Sequence, residues 1–204
     1  MLRSKTLLLF LLKAILIYGF LSLPLSFYDE TYGNFYRKIA GTTFEKFRET
    51  GFVRFREGKE PSSTRVNIGN HELARRSDGA IKTAGIDINT RYLGYIPTIL
   101  LISLVVASPV PWKRKLFALV AGLILVTLLI LFKQWVSLLW RCDQNPWLQL
   151  TDFTDQGKKT LAYAYNFISV TSSSILYFVV AIWFLVTFRA ADFKGEKAAG
   201  NQKN

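Results

Sequence analysis

Four long apolar intervals separate the charged residues of this chain, and no other feature restricts its fold as strongly. They cover residues 6–23, 92–110, 116–132 and 167–188. A transmembrane helix needs about 20 predominantly apolar residues to cross the hydrocarbon core of a bilayer. The intervals therefore predict four transmembrane helices and exclude an ordinary soluble domain. Because Lys13 interrupts the first interval and no small-residue cleavage site follows it, that interval is interpreted as an uncleaved anchor.

The charge balance is strongly basic, and its distribution indicates lipid rather than nucleic acid as a partner. The chain has 26 Lys and Arg against 14 Asp and Glu, which gives a net charge of +12. The basic residues are spread over several segments on both predicted sides of the membrane, without a nucleic-acid recognition motif. Charge of this kind is typical of contact with anionic headgroups. We therefore expect a bilayer with anionic headgroups as a partner and exclude nucleic acid.

The basic residues also predict the orientation, because short segments rich in Lys and Arg face the cytoplasm. Both termini are therefore expected in the cytoplasm, and the membrane is interpreted as a bacterial inner membrane. The predicted division of the chain is a cytoplasmic N-terminus with helix 1 (1–26), an extracytoplasmic insert (27–91), a hairpin of helices 2 and 3 (92–132) with a basic cytoplasmic turn (112–115), an extracytoplasmic aromatic-rich segment (133–166), helix 4 (167–188) and a cytoplasmic basic tail (189–204).

The insert at 27–91 combines two periodicities. Mostly aromatic residues recur every three or four positions from Tyr28 to Phe47, which predicts a helix, ended by Gly51, that lies on the membrane surface or on a following sheet. After Gly51, apolar and polar residues alternate, which predicts about three antiparallel strands. The alternating segments are 52–56, 64–68 and 81–89. The predicted fold class is thus a membrane all-α protein with four transmembrane helices and a small extracytoplasmic α+β insert between helices 1 and 2.

Aromatic and basic residues next to the apolar intervals are expected at the lipid interface. Tryptophan is enriched at the headgroup level of membranes, and lysine and arginine there contact anionic lipid. The predicted interface residues are Trp112, Lys113, Arg114, Lys115, Trp135, Trp140 and Trp147.

Reactive residues are few. The single cysteine excludes an intrachain disulfide and a CxxC redox pair, and one cysteine with one histidine makes a zinc site improbable. Cys142, His71 and Arg141 are all predicted on the outer face, where a thiolate activated by an imidazole would suit a transpeptidase-like enzyme. However, His71 lies in a polar loop and Cys142 in the sequence WRCDQ, so this set is the alternative. We predict no catalytic residue, no metal and no cofactor.

A polar strand end just before the second apolar interval is the predicted binding site. It contains Asp87, Asn89, Arg91 and Tyr92, placed to contact a lipid headgroup or a partner protein. An exposed sheet edge and aromatic external segments are typical of a covered interface.

Together these features predict an integral inner-membrane protein that is a non-catalytic accessory or scaffold subunit. Its extracytoplasmic insert would dock onto another membrane or periplasmic protein. The alternatives are a membrane-embedded transferase that uses Cys142 and an oligomeric channel or carrier subunit. The oligomeric state is left open.

Overall fold

The computed structural model describes residues 4–23, 26–60, 62–76, 83–169 and 174–188. These residues form two compact units. The first, here called the helical unit, takes its described residues from Met1–Leu23, Pro97–Thr127 and Ile175–Asn204. The second, called the sheet unit, takes them from Pro24–Ile96 and Leu128–Ser174.

Seven α-helices and four strands make up most of the described residues. The helices are α1 (Ser4–Leu21), α2 (Ser26–Phe44), α3 (His71–Arg76), α4 (Ile96–Ala107), α5 (Trp112–Asp143), α6 (Asp155–Ser169) and α7 (Ser174–Thr187). The strands are β1 (Lys46–Phe47), β2 (Gly51–Glu57), β3 (Ser63–Asn70) and β4 (Ala84–Asn89). A π-helical turn at Arg91–Tyr95 precedes α4, and a 3-10 turn at Pro146–Leu148 lies between α5 and α6.

The sheet is an antiparallel meander with the strand order β1-β2-β3-β4. In the β3–β4 ladder Arg65 lies opposite Asp87 and Val66 lies opposite Ile86. Among the described residues β4 pairs only with β3, so β4 is an edge strand. Alternate residues of such a strand direct their N–H and C=O groups away from the sheet.

The core of the sheet unit forms where α2 packs on the sheet. Tyr36, Ala40 and Phe44 recur every fourth residue and are buried, as expected for one face of a helix. The ring of Phe55 on β2 lies 6.0 Å from that of Tyr36 and 6.2 Å from that of Phe44. Ile68 of β3 is completely buried. The aromatic periodicity of α2 therefore serves a protein core.

The helical unit buries both small and large apolar side chains and leaves many large ones exposed. Ala14, Ala107 and Ala118 are buried together with Leu101 and Val179, and a Cβ at Gly122 would lie only 2.9 Å from a methyl group of Leu101. Small residues let helices approach closely, which is the usual packing of helices in lipid. The large exposed apolar side chains of this unit include Leu8, Ile15, Leu16, Phe20, Val120, Ile124 and Leu185.

The prediction of four transmembrane helices is wrong. Among the described residues, only Trp112–Asp143 is long and apolar enough to cross a membrane. Helix α4 ends at Ala107 because Pro109 and Pro111 follow it. Helix α7 has 14 residues, and about 1.5 Å per residue gives it a length of only about 21 Å. Helix α1 has 18 residues and is not a candidate either.

Three further features differ from the sequence prediction. The sheet has four strands rather than three, because the two residues of β1 are too few to show a pattern. The basic residues at 112–115 form the first turn of α5, and the connection between α4 and α5 lies at 108–111. The apolar interval 167–188 is divided between α6 and α7, with residues 170–173 outside the described part. The predicted tail at 189–204 also lies outside it.

Two glycines of the sheet unit are expected to respond to alanine with opposite signs. A Cβ at Gly51 would overlap the backbone oxygen of Phe47, so Gly51→Ala should destabilise the unit by about 2 kcal/mol. A Cβ at Gly41, within α2, has nothing within 4 Å, so Gly41→Ala should stabilise it by up to about 1 kcal/mol. Denaturant unfolding of the full chain in detergent measures both changes. Equal effects at both positions would contradict the packing of the β1–β2 turn.

Candidate binding site

The sheet unit has a pocket of about 200 Å³ beside the edge strand β4. It is lined by residues of β4, the π-helical turn, α5 and α6. These residues are Ile86, Asp87, Ile88, Leu93, Lys133, Gln134, Ser137, Arg141 and Tyr165. We call this feature the β4–α5 pocket.

Helix α5 supplies the polar wall of the pocket. Its apolar interval ends at Phe132, and Lys133, Gln134, Ser137 and Arg141 follow at spacings that place them on one side of the helix. The Ser137 hydroxyl donates to the backbone oxygen of Lys133 at 2.9 Å. The polar groups that face the pocket are therefore carried by a continuous helix.

Strand β4 supplies a second wall of the pocket. Three consecutive residues, Ile86, Asp87 and Ile88, all border the pocket. Ile86 and Ile88 lie opposite Val66 and Thr64, which are completely buried, so the two isoleucines are on the inner face of the sheet and Asp87 is on the other face. The pocket therefore lies beside β4, an edge strand of the sheet.

Gln134 is the most deeply buried polar residue of the pocket. Its side chain is 2% exposed, and its Oε1 accepts a hydrogen bond of 3.1 Å from the hydroxyl of Tyr36 on α2. Burial holds the pKa of Tyr36 above its usual range, so the hydroxyl stays protonated and donates. The Nε2 of Gln134 is buried and has no hydrogen-bond partner among the described residues. A buried amide that lacks a partner costs about 1–3 kcal/mol, so an acceptor that reached this donor would be stabilising.

Ring stacking holds the far wall of the pocket in place. Tyr165 of α6 stacks on Trp140 of α5, with ring centroids 5.0 Å apart and planes 13° from parallel. Such a pair contributes about 0.5–1.5 kcal/mol beyond its buried area. The position of Tyr165 is thus set by α5, which carries the polar wall.

The pocket carries more positive than negative charge. Lys133 is half-buried and Arg141 is exposed, whereas Asp87 is the one acidic residue of the lining. Neither cation forms an ion pair with a described carboxylate. Asp87 lies opposite Arg65 in the β3–β4 register, and this neighbour offsets part of its charge. The chemistry of the pocket therefore suits a ligand with one negative charge.

The structure does not assemble the alternative catalytic set. The Cys142 side chain is 2% exposed. His71 is an exposed residue at the start of α3, with its ring 4.7 Å from the ring of Phe52. Within the described ranges no hydrogen bond or ion pair joins Cys142, His71 and Arg141. Arg141 instead lines the β4–α5 pocket.

The residues of the predicted binding strand end have separate positions and roles. Asp87 borders the pocket. Asn89 accepts hydrogen bonds from the backbone N–H groups of Arg91 and Tyr92 at 3.0 and 3.3 Å, and so begins the π-helical turn. Arg91 forms a 2.8 Å ion pair with Asp29 of α2. Tyr92 is 69% exposed. Only Asp87 of this group therefore belongs to the pocket.

The predicted interface residues also separate. Trp112, Trp135 and Trp147 are exposed, whereas Trp140 is stacked on Tyr165. Lys115 donates to the backbone oxygen of Val106 at 2.6 Å and so closes the turn between α4 and α5. Lys113 is exposed and Arg114 is half-buried. The lipid contact of this group stays a prediction.

Sequence reasoning missed the polar lining residues Lys133, Gln134, Ser137 and Tyr165. The signal that points to the first three is their spacing of three and four residues to one another and to Arg141 just after an apolar interval. Tyr165 carries no comparable signal, because only the fold brings α6 to the pocket.

No group of three or more His, Cys, Asp or Glu residues that could hold a metal ion occurs in the part of the chain that the structure describes. No protein-family model, curated protein or solved structure matches the chain.

Proposed function

We propose that this chain is an integral membrane protein that acts as a non-catalytic accessory subunit and docks onto another protein through its sheet unit. The observation that carries the proposal is a strand edge, on β4, that no described residue pairs with and that lies beside a pocket with two cations. Exposed edges are normally blocked or covered in natural proteins, since they pair readily with other chains. A covered edge at an interface is the simplest role for such a feature.

The surface of the helical unit supports the membrane location. Leu8 is 71% exposed, Phe20 67% and Leu185 69%, and soluble monomers rarely expose contiguous apolar surface of this extent. Helix α5 is the candidate membrane-spanning helix. Its basic first turn at 112–115 is typical of a cytoplasmic end, since lysine and arginine are enriched on that side. Bacterial inner membranes are the setting that we propose.

The exposed lysine of α1 also fits lipid surroundings. Lys13 is exposed between the exposed side chains of Leu12 and Leu16. Lysine at such a position extends its apolar stem along the helix and places its ammonium group at the headgroups. Lys13 therefore needs no partner helix.

Two fractionation results test the membrane part. The full chain should stay in the membrane pellet after extraction at alkaline pH and should enter solution only with detergent. Release by alkaline carbonate alone would contradict an integral location.

The burial of Cys142 favours the accessory role over a cysteine-dependent enzyme. A nucleophilic thiol must reach its substrate, and reactive cysteines lie in accessible, electropositive surroundings. We therefore expect Cys142→Ala to leave the function of the protein intact. The measurement is complementation of a deletion strain by wild-type and Cys142→Ala chains expressed at equal abundance. Loss of complementation at unchanged abundance would support the transferase instead.

A further inference from the structure

We propose that the β4–α5 pocket binds a carboxylate carried by an extended peptide segment, which adds to β4 as a fifth strand. This inference rests on the proposed docking function and names the chemistry of the partner. The carboxylate is either the C-terminus of the partner or an acidic side chain within the segment. Both sources offer the same group to the pocket, and they are separated by experiment.

The edge of β4 favours a peptide. Three consecutive residues of β4, 86–88, border the pocket, and β4 has no strand partner on the side away from β3 among the described residues. An incoming strand satisfies such N–H and C=O groups by main-chain hydrogen bonds, which is the usual mode of strand addition. A lipid headgroup has no repeating donors and acceptors with which to pair along a strand.

The opposite wall favours a carboxylate. Lys133 and Arg141 supply positive charge, and the Nε2 of Gln134 is a buried donor without a described partner. A carboxylate accepts several hydrogen bonds, and bonds that involve a charged group are stronger than neutral ones. Bound between these residues, it would give Gln134 the acceptor that it lacks and would neutralise part of the positive charge.

The rest of the lining accommodates the side chain beside that carboxylate. Ile86, Ile88 and Leu93 are apolar and half-buried, and the ring of Tyr165 is held in place by Trp140. In strand addition, main-chain bonds give affinity and pockets for alternate side chains give specificity. We therefore expect an apolar residue next to the acidic group.

Three sets of labelled seven-residue peptides test the inference against the purified full chain in detergent. All have mixed sequences rich in Val and Thr, and they end in a free carboxylate, in an amide, or in an amide with one internal Glu. Fluorescence anisotropy gives the affinities. We expect at least one acidic set to bind about tenfold more tightly than the neutral amides, since 1.4 kcal/mol corresponds to a factor of ten. The set that binds identifies the source of the carboxylate.

Matched charge variants test the location. Lys133→Gln with Arg141→Gln should remove the preference for the carboxylate, while Lys158→Gln with Lys159→Gln should retain it. Both pairs lower the charge of the sheet unit by two, and Lys158 and Lys159 are exposed on α6 outside the pocket. Protection of the Cys142 thiol from a labelling reagent reports that each variant is folded. If the pocket variant is unfolded, the comparison of acidic with neutral peptides on the wild-type chain decides alone.

Equal binding of acidic and neutral peptides, or no binding, would overturn the inference. The inference would also be overturned if phosphatidylglycerol vesicles displaced the labelled peptides and unlabelled acidic peptides did not. That result would assign the pocket to lipid. Purification of the chain together with its partner protein distinguishes failure of the peptide-binding inference from failure of the docking function. A stoichiometric partner that stays bound to the Lys133→Gln/Arg141→Gln variant would leave the docking function standing while it overturns the role of the pocket.

Discussion

Replacement of Ile68 by alanine is expected to destabilise the sheet unit by about 2–5 kcal/mol. Ile68 is completely buried in β3, an inner strand of the sheet. Removal of its side chain leaves a cavity that strands paired on both sides cannot close, because β3 is held by β2 and by β4. The lost apolar contacts and the remaining cavity therefore both lower the free energy of unfolding.

Labelling of Cys142 measures this change within one unit of the protein. Cys142 is the only cysteine of the chain and is buried in the sheet unit. When the unit opens and closes faster than the reagent reacts, the labelling rate is proportional to the open population. Ile68→Ala should raise that rate by at least about 30-fold, since 1.4 kcal/mol is a factor of ten. Ile68→Val, which removes one methylene, should cost only about 0.5–1.5 kcal/mol, and equal effects of the two variants would contradict the tight core.

Replacement of Asp29 by asparagine is expected to cost about 3 kcal/mol, because it removes the carboxylate of a largely buried ion pair with Arg91. The two side chains are 13% and 15% exposed, and their ion pair of 2.8 Å joins α2 to the π-helical turn. The guanidinium of Arg91 also lies 6.0 Å from the centroid of the Tyr95 ring. Asparagine keeps the volume of the side chain, so the change isolates the charge.

A double-mutant cycle separates the ion pair from other contacts of these residues. Asp29→Asn with Arg91→Gln removes both charges, and the double variant should be less destabilised than the sum of the two single variants. The rate of Cys142 labelling gives the change in the free energy of unfolding for both single variants and for the double variant. If the two single changes in the free energy of unfolding simply add in the double variant, the ion pair does not stabilise the turn.

The same turn also lines the β4–α5 pocket through Leu93. The affinity for the peptides should therefore fall together with stability in Asp29→Asn.

Periodicity found most of the local structure of the insert, although Phe47 lies in β1 rather than on the helix and the polar run after Asn70 begins with helix α3. The repeat from Tyr28 to Phe44 lies on α2, and the alternating segments after Gly51 lie on or overlap strands. A helix face and a strand face are read directly from residue spacing, because each depends only on neighbouring residues. The two-residue strand β1 has no period and was missed.

Hydropathy alone did not give the lengths of the helices. An apolar interval continues through Ser108 to Val110, but the prolines there end α4. The apolar interval 116–132 covers only part of α5, which continues through Lys133 to Asp143. Apolar composition thus indicates where a chain is lipid-compatible, whereas proline and polar helix-forming residues decide where a helix stops.

The candidate site was only partly predictable. Asp87 and Arg141 were identified by sequence but were given unrelated roles, as a headgroup contact and as a catalytic partner. They border one pocket because α5 passes beside the edge strand β4, and no local pattern encodes that approach. Cys142 was also identified by sequence, but it does not belong to the pocket. A single cysteine suggests a catalytic nucleophile, whereas this one is buried in the core of the sheet unit.

Docking through the sheet unit is tested most directly by purification of the full chain in mild detergent at native expression level, with mass spectrometry of the complex. We expect one partner protein at fixed stoichiometry with the wild-type chain and with the Lys158→Gln/Lys159→Gln control. The partner should be lost with the Lys133→Gln/Arg141→Gln variant. A wild-type chain that purifies alone, or only with copies of itself, would contradict the docking function.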